Sequence, residues 1–394
     1  MPPTRWLGEA SDTIGSFRSL LRNHSATGVQ RLGLIFLLKD RNSIAVATAI
    51  ATVKNIIRNV TESNSLSPFA YTKAFRGRGL PKSLRLAHFV RAVILSPILL
   101  LEWKALVGLR KSRMGHAITL MNDIANATQG GGLEVMNRVI CRIRNVSTAK
   151  LLQSQDRFST PGGESLSIQK IKLIVDELRE VGFSRVPNFI DPLIVERLQT
   201  DILKMPGKSS RPAVNYSSQD EWRRDTDSGP RYTVDTEKIE CHVFCKEVAT
   251  NELIREVASQ YLGCLPILAA TQVWTTRPPI SSTAEVLSEA AMAFHCDANY
   301  FGFLKFFVLL TDVGPENGPF TFVAASHRGK RHVAGRMHDS EIVSEDDVIY
   351  RGTGLAGDLI IADTKGWHKA SPPEIGYRTM LQIIYASSLF GSSS

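Results

Sequence analysis

The feature that most constrains the fold is a change of texture along the chain. Past residue 210 the apolar residues come in short runs, at 266–274, 291–294, 302–310, 320–324, 358–362 and 379–385, each bounded by Gly, Pro, Asn or Asp. Runs this brief suit strands better than helices, and several of them with turn signals between predict a β-sandwich or jelly roll. Up to about residue 152 the pattern is different. Apolar residues recur there at three- and four-residue spacing, at 45–60, 84–109 and 133–143, with turn-rich breaks at 63–68, 77–81 and 130–132. That periodicity predicts helices. Residues 153–167, with Pro161, Gly162 and Gly163, read as a linker. After it come an amphipathic helix at 168–180, a short strand at 183–187 and a helix at 191–204 opened by Asp191 and Pro192. The expectation is an α+β chain: a basic helical region over 1–155, then a double-stranded β-helix (cupin-like jelly roll) domain over 156–394.

Charge divides at the same place. Residues 1–150 carry 22 Lys/Arg against 7 Asp/Glu, a net +15, while the remainder carries 25 against 31, a net −6. A basic segment of this size points to an anionic partner, either a membrane surface or an anionic ligand. The basic residues are scattered rather than blocked, which disfavours nucleic acid and leaves a solvated helical surface as an equal reading. The five cysteines, Cys141, Cys241, Cys245, Cys264 and Cys296, are odd in number and show no zinc-type pairing, so a disulfide framework is not expected and a reducing compartment, the cytoplasm, fits. Cys241 and Cys245, in what reads as a strand-like stretch, are taken as core or free thiols. The first residues lack a signal-type apolar core; Arg5, Arg18, Arg22 and Arg31 with nearby serines leave organelle targeting open, weakened by Glu9 and Asp12. No apolar segment reaches the length needed to span a bilayer, the best candidate at 92–101 being too short.

One constellation carries chemistry. In Phe294-His295-Cys296-Asp297 the imidazole and the carboxylate stand two residues apart, so the alternation of a strand would put both on one face, with Cys296 opposite. His368, in Gly366-Trp367-His368, follows the strand-like stretch at 357–363 and supplies a third donor. Two imidazoles and one carboxylate are the ligand set of non-haem iron(II) oxygenases, because three positions of the ion stay open; zinc accepts the same ligands. Arg378 opens the last apolar run, where a guanidinium can meet a carboxylate bidentately, and Gln382 shares its strand face. Lys305 interrupts an otherwise apolar run, and a cation there needs a partner: a substrate or cosubstrate carboxylate, or a structural salt bridge, in equal balance.

The ordered set resembles the phytanoyl-CoA dioxygenase family. The likeness runs through His295-Cys296-Asp297, Leu310-Thr311-Asp312-Val313, Glu316-Asn317-Gly318-Pro319, Ala325-Ser326-His327-Arg328, Gly357-Asp358, Trp367-His368 and Arg378, with Val181-Gly182-Phe183 and Val186-Pro187-Asn188-Phe189 upstream. It covers roughly residues 165–390. The resemblance implies that His295, Asp297 and His368 bind iron(II), that Arg378 holds the 2-oxoglutarate carboxylate and that dioxygen is the oxidant; Lys305 and Gln382 are candidates for the cosubstrate pocket from their positions in the chain alone. It also implies that His327 is a structural part of the barrel. Relatives that halogenate lack the carboxylate; with Asp297 present, hydroxylation of a small organic or acyl substrate is the expected reaction. The rivals are a non-catalytic binding or scaffold protein on the same fold and a zinc-dependent hydrolase.

Overall fold

The computed structural model describes residues 85–86, 88–89, 92, 116–152, 168–210, 213–279, 291–329 and 342–391. The helix expected at 45–60, most of that at 84–109, the breaks between 63 and 81 and the linker at 153–167 lie outside the described residues. The helices are α1 (His116–Thr128), α2 (Gly131–Leu152), α3 (Ile168–Glu180), α4 (Pro192–Leu203), α5 (Gln219–Arg224), α6 (Thr236–Cys241), α7 (Val243–Ala249) and α8 (Glu252–Leu262). The strands are β1 (Phe183–Val186), β2 (Gly207–Ser209), β3 (Asn215–Tyr216), β4 (Arg231–Val234), β5 (Ile267–Thr276), β6 (Phe303–Leu309), β7 (Phe320–Val323), β8 (Ile349–Gly352), β9 (Leu359–Ala362), β10 (His368–Ala370) and β11 (Arg378–Ala386).

An eight-stranded sheet in the order β1-β9-β6-β11-β5-β4-β2-β3 faces a three-stranded sheet β10-β7-β8, and neighbouring strands run antiparallel. This is the jelly-roll arrangement. Period-2 alternation decides what each face of the large sheet meets. Leu304, Phe306 and Val308 of β6 and Leu381, Ile383 and Tyr385 of β11 pack outward into one core with Leu178, Leu198, Ile254 and Val257 of the covering helices α3, α4 and α8. Phe307 and Leu309 of β6 and Met380 of β11 point the other way, into a second core shared with Phe320 and Phe322 of the small sheet. Both faces are buried, which is why β6 and β11 read as predominantly apolar runs without strict alternation. Asp191 caps α4 as expected, its side chain accepting from Leu193 N.

Two expectations need correction. The run at 291–294 is not a strand: Ala291 has φ 59, which breaks the extension, and the segment joins the small sheet by the bridge His295–His368. The stretch with Cys241 and Cys245 is helical. Asp235 caps α6 and the ring of His242 accepts from Cys245 N to start α7; these caps outweigh the short-range apolar pattern that suggested a strand.

The helical hairpin α1–α2 packs onto the β-domain, burying Leu120, Met121, Leu133 and Ile140 with Ala298, Phe301 and Phe390. Among the described residues no helix is long and apolar enough to cross a membrane.

Gly357 and Asp358 close the turn into β9. Asp358 is buried and gathers Arg185 Nη2 at 2.5 Å, Asn188 N at 2.8 Å and Leu355 N at 3.1 Å. Gly357 sits at φ +100, and a Cβ there would stand 2.6 Å from the Ile190 carbonyl oxygen. Gly357→Ala is expected to cost about 2–4 kcal/mol, through backbone strain plus the clash, read as a lowered denaturation midpoint with an unchanged m-value. A midpoint within error of wild type would contradict this packing.

Candidate metal centre

The two backbones that carry the site face each other across the bridge: His295 N donates to His368 O at 2.9 Å and His368 N to His295 O at 3.0 Å. Asp297 N is held by Thr364 O at 2.9 Å, so the turn before β10 fixes both segments at once. The turn itself is anchored by Ser326, whose Oγ accepts from Trp367 N at 2.8 Å. That accounts structurally for the Ser-His element. His327 is buried, and its Nε2 lies 3.2 Å from Arg179 O in α3.

In both site histidines Nδ1 sits 2.9 Å from a backbone carbonyl, Ala293 O for His295 and Gly366 O for His368. A carbonyl can only accept, so each Nδ1 carries the proton and each Nε2 presents a lone pair. Both Nε2 atoms face one carboxylate, at 3.8 Å from Asp297 Oδ1 and 3.3 Å from Asp297 Oδ2. The three side chains offer ligand atoms all within 4.8 Å of one another. Lone pairs converging in this way repel unless a cation sits between them, and the donor set is the one an octahedral divalent ion with open positions requires.

Lys305, from the inner face of β6, donates to Asp297 Oδ2 at 2.7 Å. Of its two expected partners, the structure gives it a carboxylate of the chain itself. Burial alone would push the Asp297 carboxyl up; Lys305, then His368 and His295, outweigh it, and the group is held well below the usual carboxylate range.

Arg378 lies on the same inner face, in the row Arg378, Met380, Gln382 and Ile384, whose far end pairs with Lys305. It is 1% exposed, and none of its three guanidinium nitrogens has a hydrogen-bond partner. Burial, then the Arg231 guanidinium, press its pKa down to about 9, which leaves it charged at neutral pH. A buried cation without an anion is costly, and this one fits a ligand carboxylate. Gln382 donates to Gln272 Oε1 at 3.2 Å on β5, so it stands in the same row but is already engaged.

Composition and motif left unmarked the aromatic bed between the triad and the arginines. Ring centroids step from His368 to Phe320 at 5.6 Å, to Phe307 at 5.1 Å and to Trp274 at 6.3 Å, and the Arg231 guanidinium caps Trp274 at 4.4 Å. The signal was present in the parity of Phe307 with Lys305 and of Trp274 with Thr276, but it needed the register to be read. Of the remaining histidines, His242 pairs with Asp201 at 3.3 Å, while His332 and His338 lie outside the described residues.

The family model described as phytanoyl-CoA dioxygenase matches residues 178–373. This part of the chain belongs to the phytanoyl-CoA dioxygenase family. Arg378 lies just beyond the matched segment. The comparison with curated proteins finds no match. Solved structures that resemble the chain include the non-haem alpha-ketoglutarate-dependent epimerase SnoN from nogalamycin biosynthesis, at 18% identity over 55% of this chain and 83% of that one, TM-score 0.43. HygX from Streptomyces hygroscopicus, with nickel and 2-oxoglutarate bound, is similar at 12% identity over 56% and 87%, TM-score 0.41. EctD from S. alaskensis is similar at 16% over 58% and 80%, TM-score 0.40. At such scores none of them decides what this chain does. Phytanoyl-CoA dioxygenase membership brings iron and 2-oxoglutarate as cofactors, and the donor set and the orphaned Arg378 fit both.

Proposed function

We propose that this protein is an iron(II)- and 2-oxoglutarate-dependent dioxygenase that hydroxylates a small organic or acyl substrate, with His295, Asp297 and His368 as the metal ligands and Arg378 as the anchor of the cosubstrate's far carboxylate. The observation that carries the reading is the pairing of three converging lone-pair donors with a buried guanidinium that has no partner of its own. When bound, iron(II) with 2-oxoglutarate supplies oxidative decarboxylation to succinate and carbon dioxide, coupled to insertion of oxygen from dioxygen into a substrate.

The chain's own part is positioning and exclusion of water. The Ala293 and Gly366 carbonyls set the tautomer that aims each Nε2 inward. Lys305 donates to Asp297 Oδ2 and so orients the carboxylate beside His295 and His368, the three side chains that would hold the iron. Phe307, Phe320 and Trp274 are buried rings of the inner core that would keep water from a carboxylate held at Arg378, where a charge-assisted pair is strongest. The presence of Asp297 favours hydroxylation over halogenation. The basic excess of residues 1–150 supports an anionic surface or ligand as a further contact.

The test is anaerobic titration of metal-free protein with iron(II) and 2-oxoglutarate. A weak visible charge-transfer band is expected in wild type and absent in His368→Ala, followed by succinate release on admitting air. Folded wild-type protein that shows no band would sink the assignment, and zinc chemistry would become the reading to pursue.

A further inference from the structure

Helix α2 meets the turn after α8 at a pair of thiols. Cys141 Sγ lies 3.1 Å from Cys264 Sγ across 123 residues of chain, and the two residues are 6% and 4% exposed. Both are free thiols. The Cys141 thiol also lies 3.3 Å from Leu262 O and 3.6 Å from Asn137 Oδ1, so its one proton has three acceptors within reach, Cys264 Sγ being the nearest. A disulfide requires an S–S distance of about 2.05 Å, and closing this pair needs a movement of roughly 1 Å.

The surroundings make the two sulfurs unequal. The hydrogen bond from Cys141 and, after the opposing effect of burial, the Arg144 guanidinium pull the Cys264 thiol down, while the hydrogen bond with Cys264 and burial push Cys141 up. Arg144 is itself fixed, its Nη1 donating to Ser387 O at 2.7 Å. The two sulfurs are therefore inequivalent, Cys264 being the one whose deprotonation the surroundings ease and Cys141 the one that keeps its proton, the order expected of a nucleophilic and a resolving cysteine.

We propose that Cys141 and Cys264 are an oxidation site: hydrogen peroxide converts them to a disulfide that staples α2 to the β-domain. The Cys264 thiolate attacks one peroxide oxygen and the O–O bond breaks; the departing hydroxide takes up the proton Cys264 had released, leaving a sulfenic acid and water. The Cys141 sulfur then attacks the sulfenic sulfur, the S–S bond forms, and the sulfenic oxygen leaves as a second water with the Cys141 proton. Two thiols are oxidised by two electrons in all, and one peroxide is reduced to two waters. The staple holds the hairpin that packs on Ala298 and Phe301, residues that follow Asp297 closely in the chain.

The experiment treats the full chain, with chelator present, with hydrogen peroxide, then blocks free thiols with N-ethylmaleimide and maps a non-reducing digest. A single cross-linked peptide joining Cys141 to Cys264 is expected, with two of the five thiols protected, reversal by dithiothreitol, and a melting temperature raised by roughly 5–10 °C from closing so long a loop. Cys264→Ser should show neither the cross-link nor the shift, and Cys241→Ser should show both. The wild-type map stands whether or not a variant folds. Cys141 and Cys264 both remaining alkylatable, oxidation of either to a sulfinic acid, or a cross-link joining other cysteines would overturn the proposal.

Discussion

Asp297→Ala is expected to abolish turnover, lowering kcat/KM by roughly 1,000-fold or more, which corresponds to about 4 kcal/mol of transition-state stabilisation. Two losses combine. The proposed metal site would lose the only carboxylate of its three-residue cluster, and Lys305, 2.7 Å from that carboxylate, loses its buried counter-ion. Removing one member of a buried pair costs about 3–5 kcal/mol, so the variant should also melt earlier. A second substitution separates the two effects: Lys305→Met in the same chain should recover much of the stability, by removing the orphaned charge, and none of the turnover. Binding of manganese(II), followed by electron paramagnetic resonance, and calorimetric melting read the two quantities independently. Wild-type metal affinity in Asp297→Ala would show that these residues do not hold the ion.

Arg378→Met should separate function from stability in the opposite sense. The guanidinium is fully enclosed, lacks any partner among its three nitrogens and is opposed by burial and by Arg231. Replacing a buried, unpaired cation by an apolar side chain of similar length is expected to leave the ligand-free protein as stable as wild type or more so, by about 1–3 kcal/mol. Cosubstrate binding should suffer by about 100-fold or more, because a bidentate charge-assisted contact in a dry pocket is lost. Wild type should gain about 2.7 kcal/mol of stability at 2-oxoglutarate concentrations 100 times the dissociation constant, and the variant almost none at the same concentration. Thermal shifts with and without 2-oxoglutarate decide it. An undiminished shift in Arg378→Met would move the cosubstrate anchor elsewhere, with Arg231 the first residue to examine.

Much of this protein is written locally. The predominantly apolar runs that become β5, β6, β9 and β11 announce strands buried on both faces, because strict alternation is lost when a sheet is covered on both sides. Asp191 with Pro192 marks the start of α4 by capping chemistry alone. The candidate triad could be nominated because His295 and Asp297 are close in sequence and His368 closes a recognisable strand-and-turn.

What local pattern leaves open is which faces meet. The strand β10 is three residues long, too short for any period to register, and β8, Ile349-Tyr350-Arg351-Gly352, presents no apolar run, yet β10 carries His368. The helices α6 and α7 depend on single capping contacts that a run of apolar residues does not reveal. Lys305 announces only that it needs an anion; the register of β6 against β11 and the bridge at His295 decide that the anion is Asp297. The isolation of Arg378 is likewise a property of its surroundings, since a strand-opening arginine looks the same whether paired or not. Cys141 and Cys264 stand 123 residues apart and become neighbours only when α2 docks against the end of α8. Residue type and spacing thus determined the longer buried strands, the cap of α4 and the chemistry available to each side chain. Partner choice for every buried charge and thiol was decided by tertiary packing, because desolvation and Coulomb energies depend on distances through space that no local period encodes.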